Sequence, residues 1–325
     1  MKEPYSSFVL TFSAIAIEII LLSIFLYNGY TIHNPQVIDI VKAGMLTAVI
    51  VDINFLLGLS VLIGGLSFKE QSHNEETSST YTTVLLTSAV ILLVPSAVEY
   101  INNDFNMLYN SSIAISFLLL VFYMGIFIFQ TRTHSHFFAN TGKSRIFFIN
   151  KRQKKNEIDE NTENNTEEEI TYIFEKINNF WNIIIIVGFL LLVAVLSEIF
   201  SHNSLVIFHK YGISIGLAAL SIAIISVAPE IFTSIKAAKN DEIQRAVNIG
   251  MGASTVSILL AIPIIMFISY LIGINFTLDF NKFHLAALII SVVLAWKTTE
   301  DGETNYFEGI SHLVLFVGFI IMIIF

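Results

Sequence analysis

Long apolar stretches separated by short polar ones run along the whole chain. A window of about 19 residues finds nine apolar segments, each bounded by charged residues or by Asn, Pro and Gly clusters. Runs of this length can cross the roughly 30 Å hydrocarbon core of a bilayer as helices. The pattern therefore predicts an all-α polytopic membrane protein with about nine transmembrane helices. The segments are Ser7–Tyr27, Val37–Leu66, Tyr81–Ile101, Ser111–Phe129, Asn178–Phe200, Leu205–Ala238, Ala246–Ile272, Phe283–Lys297 and Tyr306–Phe325.

Two of the segments, Val37–Leu66 and Leu205–Ala238, are near 30 residues long. A helix rises about 1.5 Å per residue, so each of them should tilt, kink or extend into water. Pro229 lies in the second segment and removes a backbone hydrogen-bond donor. We therefore expect a kinked or broken helix there, with carbonyl oxygens left free.

Composition narrows the class of protein. The chain has 325 residues, of which 54% are hydrophobic and 13% charged, and this excludes soluble enzymes and nucleic-acid binders. The net charge of −9 comes mainly from loops and indicates no particular ligand. The absence of cysteine excludes disulfides, thiolate metal sites and cysteine nucleophiles. The first apolar run is too long for a signal peptide and predicts a mature span.

A long polar stretch divides the chain into two halves. We expect a first half over residues 1–130 with four spans, a charged linker over 131–176, and a second half over 177–325 with five spans. If the linker is cytoplasmic and the spans alternate, only Lys42, Lys210 and Lys282 lie outside. The positive-inside rule favours this orientation, which places the amino end in the cytoplasm and the carboxyl end outside.

The linker itself is basic at first and then acidic. Its acidic part could be a regulatory calcium site, but it lacks the sequence pattern of a calcium-binding loop, so a solvated helix is favoured. His134 and His136 precede the basic part and are interpreted as interfacial residues rather than metal ligands.

Carboxylates inside the spans are the strongest indication of function. Glu18 lies near the middle of the first segment, and Glu230 follows Pro229 directly. An ionisable group within a span costs at least about 2.5–3.5 kcal/mol on insertion scales, so such groups usually mark a pathway or site. The alternative is that each glutamate stays protonated and hydrogen-bonds between helices. Asp52 is a further candidate, for which a pathway role and a packing role are about equally supported.

The two glutamates occupy related positions. The span after Glu18 opens with VKAGM from Val41, and the span after Glu230 opens with VNIGM from Val247. This weak internal repeat is inverted, because the predicted orientation makes the two glutamate helices run in opposite directions across the membrane. Inverted repeats place the substrate near the bilayer midplane between the two copies.

A midplane cation and proton site is therefore predicted. Glu18 and Glu230 would bind the cation or protons. Hard oxygen ligands of this kind suit calcium and, in a different geometry, sodium. Accessory oxygens are expected from Ser13, Asp52, Ser226, Ser254 and Thr255.

Three stretches resemble the calcium/cation antiporter superfamily, most closely the bacterial calcium (sodium, potassium)/proton antiporters. They are EPYSSFVLTFSAIAIEIILLS, SVAPEIFTSIKAAKNDEIQRAVNIGMGASTVSILLAIPI, and the pair LLGLSVLIGGLSFKEQ with DGETNYFEGISHLVLF. The resemblance implies an inverted-repeat antiporter fold in a bacterial inner or plasma membrane, with Glu18 and Glu230 at the positions of the family's essential glutamates. The family has five core spans in each half, so the first half here is expected to be one helix short.

The predicted function is export of Ca²⁺, or of Na⁺ or K⁺, from the cytoplasm in exchange for H⁺ by alternating access. One alternative is an inactive or truncated remnant of such an antiporter, and another is a cation channel or uniporter. An enzyme is disfavoured, because neither a G-x-S-x-G nor an H-E-x-x-H motif occurs. The expected partners are the lipid bilayer, inorganic cations and protons, with no cofactor and no nucleic acid. Assembly into a homo-oligomer is left open.

Overall fold

The structure is a computed structural model that describes residues 5–34, 36–102, 104–139, 144 and 179–324. For residues 5–14, 102, 139, 179–180 and 182–183 it describes the backbone only. The acidic part of the predicted linker lies outside the described residues.

Ten helical elements and one small sheet make up the described part of the chain. Three of the helices include a π-helical turn: Val51–Leu56 in α2, Phe129–Thr133 in α4 and Ser257–Ala261 in α8. The helices are α1 (Tyr5–Thr31), α2 (Gln36–Phe68), α3 (Glu75–Ile91 and then Leu93–Asn102), α4 (Phe105–Thr133), α5 (Ser135–Ala139), α6 (Asn179–Tyr211), α7 (Ile215–Lys239), α8 (Ile243–Leu271), α9 (Lys282–Thr299) and α10 (Tyr306–Ile324). The strands are β1 (Glu70–Ser72) and β2 (Glu303–Asn305).

The membrane spans agree with the predicted class of fold. Eight helical segments of the described residues are long and apolar enough to cross a membrane, and Ile15–Thr31 of α1 is a shorter apolar helix. Gln36–Phe68 is 33 residues long, so the prediction of one span near 30 residues is confirmed there. At about 1.5 Å per residue it is longer than the hydrocarbon core is thick.

The predicted boundary between the fifth and sixth spans is wrong. α6 continues to Tyr211 instead of ending at Phe200, and α7 begins at Ile215 instead of Leu205. Polar residues after Phe200 do not interrupt the helix, since the Asn203 side chain donates to the Ile199 carbonyl at 2.6 Å. The chain turns instead at Gly212, whose φ of +62° favours glycine.

The expected break at Pro229 is also absent. α7 runs from Ile215 to Lys239 with Pro229 inside it, so its 25 residues form one continuous helix. Transmembrane helices tolerate proline where surrounding groups satisfy the freed carbonyls. In the two spans that follow the glutamates, the helical irregularity takes the form of π turns.

These two π turns lie at matching positions of the internal repeat. Val51 and Ser257, which begin them, each lie ten residues after the matched valines, Val41 and Val247. A π turn holds an extra residue and is often found at a functional site. This coincidence supports the repeat that the sequence suggests.

The core of the bundle is built around α2 and α8, whereas α6 has mostly exposed apolar side chains. α2 and α10 approach each other closely at Gly58 and Gly309. A Cβ atom added at Gly309 would lie 2.4 Å from the backbone nitrogen of Leu62, so only glycine fits there.

A polar clasp, formed by strands β1 and β2 and the side chain of Gln71, closes one end of the bundle. This is the end predicted to face the cytoplasm. β1 pairs antiparallel with β2, in the register Glu70 to Asn305, Gln71 to Thr304 and Ser72 to Glu303. The Gln71 amide donates to Asp241 Oδ1 at 3.0 Å, so the clasp also joins the connection between α7 and α8. His73 lies beside this clasp and is 5% exposed. Its backbone nitrogen donates to the Gly302 carbonyl at 2.9 Å.

His73 should make stability depend on pH. Burial lowers the pKa of His73 to about 4, and Asp301 offsets this only in part. The unfolded histidine titrates near pH 6.5, so the unfolded state takes up the proton first and stability falls as pH drops from about 6.5 towards 4. We expect the Tm of the purified protein in detergent to fall by several degrees over this window. The fall should be smaller in His73→Gln, whereas a matched change at an exposed histidine, His202→Gln, should keep it. An equal fall in all three proteins would contradict this.

The close approach of α2 and α10 predicts that Gly309→Ala destabilises the bundle. The new methyl group would meet backbone atoms of α2, and overpacking of this kind costs about 1–3 kcal/mol. The matched control is Gly318→Ala on the same helix, where an added Cβ meets nothing within 4 Å. Thermal unfolding in detergent should show a lower Tm for the first variant only. Equal Tm values for the two variants would refute the steric argument.

Candidate functional site

Glu18 is buried between the two halves of the repeat. It lies on α1 with 5% of its surface exposed. Its Oε2 accepts a hydrogen bond from the Ser257 hydroxyl at 2.6 Å, and Ser257 is the first residue of the π turn in α8. Its Oε1 is buried without a hydrogen-bond partner. One carboxylate oxygen is therefore held and the other is available.

Glu230 lies on α7 and is 7% exposed. α7 contacts α1, α8 and both the helical part and the π turn of α2. The preceding residue, Pro229, has its carbonyl oxygen bonded by the Thr233 hydroxyl at 2.8 Å. This bond occupies the carbonyl of Pro229 itself, whereas the carbonyl that proline leaves without its backbone donor is that of Ile225, four residues earlier.

Asp52 lies on the π turn of α2 and is 1% exposed. Its Oδ1 is buried without a hydrogen-bond partner. Asp52 interacts electrostatically with both Glu230 and Glu18. Glu230 and Glu18 also interact with each other. The structure thus brings all three carboxylates within repulsive range in the interior of the bundle.

Such an arrangement has a chemical consequence. Three like charges buried together repel one another, and burial itself disfavours each charge. Protons or cations bound among the carboxylates relieve both costs. Protons and cations would therefore compete for the same oxygens.

Hydroxyl groups near the carboxylate helices differ in their availability. Ser254 Oγ is buried without a hydrogen-bond partner, so its oxygen is available as an accessory ligand. Ser226 and Thr255 instead donate to carbonyls of their own helices, Ala223 at 2.9 Å and Met251 at 2.8 Å. The side chain of Ser13 lies outside the described residues.

Sequence reasoning missed two hydroxyl residues in this region. Ser257 contacts Glu18, and its signal was its position three residues after Ser254, which places both on one helix face. Thr47 of α2 has a buried hydroxyl without a hydrogen-bond partner. It lies six residues after the matched Val41, where the repeat places Ala253 in the second half, so the repeat does not identify it.

Among the described residues, the acidic and imidazole groups do not form a complete metal shell. In the part of the chain that the structure describes, no three His, Asp or Glu side chains converge closely enough to hold a metal ion. A cation bound at this site would therefore take further oxygens from hydroxyls, backbone carbonyls or water, as hard cations commonly do.

His134 stacks on Phe129 with ring centroids 4.1 Å apart, which accords with a packing role.

Known proteins match the chain over nearly its whole length. The profile of the family described as sodium/calcium exchanger protein matches residues 1–132 and 181–325. A Ca²⁺/H⁺ antiporter of Aphanothece halophytica is 26% identical over 309 residues, which are 93% of this chain and 77% of the relative. ChaA of Escherichia coli K12, a sodium-potassium/proton antiporter, is 21% identical over 324 residues, 99% of this chain and 81% of the relative.

The fold also matches a solved structure. Native YfkE superposes with a TM-score of 0.73 at 20% identity, over 95% of this chain and 81% of YfkE. The likeness concerns the fold alone. It confirms the predicted all-α polytopic membrane protein of the inverted-repeat antiporter class.

Proposed function

This chain belongs to the sodium/calcium exchanger protein family, and we propose that it exchanges a cation, calcium first, for protons at a site formed by Glu18 and Glu230. The names of the two relatives support proton exchange, because one is a Ca²⁺/H⁺ antiporter and the other a sodium-potassium/proton antiporter. These names differ in the cation, so Na⁺ and K⁺ are the other candidates.

The observation that carries the proposal is the group of three buried carboxylates. Glu18, Asp52 and Glu230 are each less than a tenth exposed and repel one another. A divalent cation neutralises two of these charges at once, which favours calcium over the monovalent ions. Protons neutralise them singly, so loading protons and loading a cation are alternative ways to stabilise the same site.

Competition of this kind gives obligatory exchange. Alternating access requires that the loaded forms of the protein rearrange and the empty, highly charged form does not. The two helix pairs α1–α2 and α7–α8 carry the glutamates and the matching π turns. We propose that these pairs, one from each half of the chain, move relative to each other around the site.

The direction of transport follows from the proposed orientation. The protein would lie in a bacterial inner or plasma membrane, with its amino end and the linker in the cytoplasm and its carboxyl end outside. Protons that enter down an inward gradient would then drive the cation out of the cytoplasm.

Both glutamates should be needed for exchange. Everted membrane vesicles that hold the protein would be given a pH gradient, and Ca²⁺, Na⁺ and K⁺ would be added in turn. We expect Ca²⁺ to collapse the gradient, and Glu18→Gln and Glu230→Gln to reduce the rate at least about 100-fold, because a carboxamide keeps the shape but cannot exchange a proton.

A matched control is Glu198→Gln on α6, since Glu198 is also a glutamate in a span but is exposed and accepts from Asn28 at 3.1 Å. This variant should keep the wild-type rate. Exchange at that rate in Glu18→Gln or Glu230→Gln would overturn the assigned site. Cation flux without proton movement in the wild type would instead indicate a uniporter or channel.

A further inference from the structure

His312 of α10 lies at the centre of a buried polar chain that joins three helices. It has 0% exposed surface. Its Nδ1 lies 3.2 Å from Asn54 Oδ1 on α2, and its Nε2 lies 3.1 Å from Thr298 Oγ on α9. The Asn54 amide nitrogen in turn donates to Ser291 Oγ at 2.5 Å. The chain ends where the Ser291 hydroxyl donates to the Ala287 carbonyl at 2.6 Å.

The partners determine the direction of each hydrogen bond. Asn54 donates through its nitrogen to Ser291, so its Oδ1 accepts from His312. His312 therefore carries its hydrogen on Nδ1, and its Nε2 accepts from the Thr298 hydroxyl. Each of the four hydrogen bonds then has one donor and one acceptor with a neutral imidazole. A buried network of this kind holds its members in one arrangement.

Asn54 connects this chain to the carboxylate site. Asn54 and Asp52 are two residues apart on the same π turn. Two residues correspond to about half a helical turn, so the two side chains point to opposite sides of α2. On one side Asp52 interacts electrostatically with Glu18 and Glu230. On the other side Asn54 hydrogen-bonds with His312 and Ser291.

The helix that carries His312 is held firmly against α2. A Cβ atom added at Gly58, just after the π turn, would lie 2.6 Å from the Cβ of His312. At the start of α10, Glu308 accepts a hydrogen bond from the Asn305 backbone nitrogen at 2.9 Å, which anchors this end of the helix. The backbone of α10 that carries His312 is therefore fixed relative to the π turn of α2.

We infer that His312 is a positioning residue for the transport site: through Asn54 it holds the π turn of α2 and so places the Asp52 carboxylate beside Glu18 and Glu230. This inference rests on the proposed function. It assigns to His312 no contact with the cation. Loss of the imidazole leaves the Asn54 oxygen buried without a donor and frees the turn to shift.

The test compares His312→Leu with His284→Leu in the vesicle assay. His284 is a matched control, because it is a buried histidine on α9, its ring nitrogens have no hydrogen-bond partner, and it packs edge-on against Phe319 of α10. We expect His312→Leu to raise the Ca²⁺ concentration for half-maximal exchange about tenfold, with the maximal rate changed less than about twofold. His284→Leu should leave both values unchanged.

Two further variants separate positioning from general damage to the fold. His312→Gln restores a donor for Asn54 and a polar partner for Thr298, so it should recover most of the wild-type half-maximal concentration. Asp52→Asn should raise that concentration at least as much as His312→Leu, or abolish exchange. The Tm of each variant in detergent would be measured alongside.

Several results would overturn the inference. One is an unchanged half-maximal concentration in His312→Leu, and another is a change matched by His284→Leu. Failure of His312→Gln to recover, or wild-type behaviour of Asp52→Asn, would also reject it. These outcomes differ from failure of the proposed function, in which the wild type itself does not exchange any of the three cations for protons.

Discussion

Burial of three carboxylates within one apolar bundle is the constraint on which the rest of the structure depends. Each charge is unfavourable inside a span, and together Glu18, Asp52 and Glu230 also repel one another. The protein does not cancel these charges with a metal shell of its own in the part of the chain that the structure describes. It leaves oxygens such as Glu18 Oε1 and Asp52 Oδ1 without partners. In the function proposed above, a bound cation or bound protons would offset the free-energy cost of burying these charges.

Helical geometry lets the site bring these groups together. α1 and α7 each carry one glutamate, while α2 and α8 each carry a π turn at the matching position of the repeat. One π turn presents Asp52 and the other presents Ser257, which bonds Glu18. The two halves of the repeat therefore share a backbone feature, the π turn, but carry different side chains there. The first π turn has a carboxylate and the second has a hydroxyl group.

Elements outside the site fix these helices at their far sides. The polar chain through Asn54 and His312 ties the first π turn to α9 and α10, and the glycine contact between Gly58 and Gly309 brings α10 close to α2. At one end, the pairing of β1 with β2 joins the connection that follows α2 to the one between α9 and α10. In contrast, α6 contacts mainly α1 and exposes apolar side chains along most of its length. Rigid support is therefore concentrated around α2, the helix that carries Asp52.

The sequence by itself determined the class of protein and nearly all of its spans, because long apolar runs are recognisable without tertiary contacts. The charges inside those runs also predicted Glu18 and Glu230 as site residues. The sequence did not determine where α6 ends, since Asn203 satisfies its own helix and only the turn at Gly212 ends it. It predicted a kinked or broken helix at Pro229, whereas α7 continues through the proline without a break, because a proline's effect depends on its neighbours. Tertiary structure alone decided that Asp52 joins the glutamates, that Ser257 bonds Glu18, and that His312 faces Asn54. Each of these contacts joins residues far apart in the chain, and no local pattern encodes which faces of the helices meet.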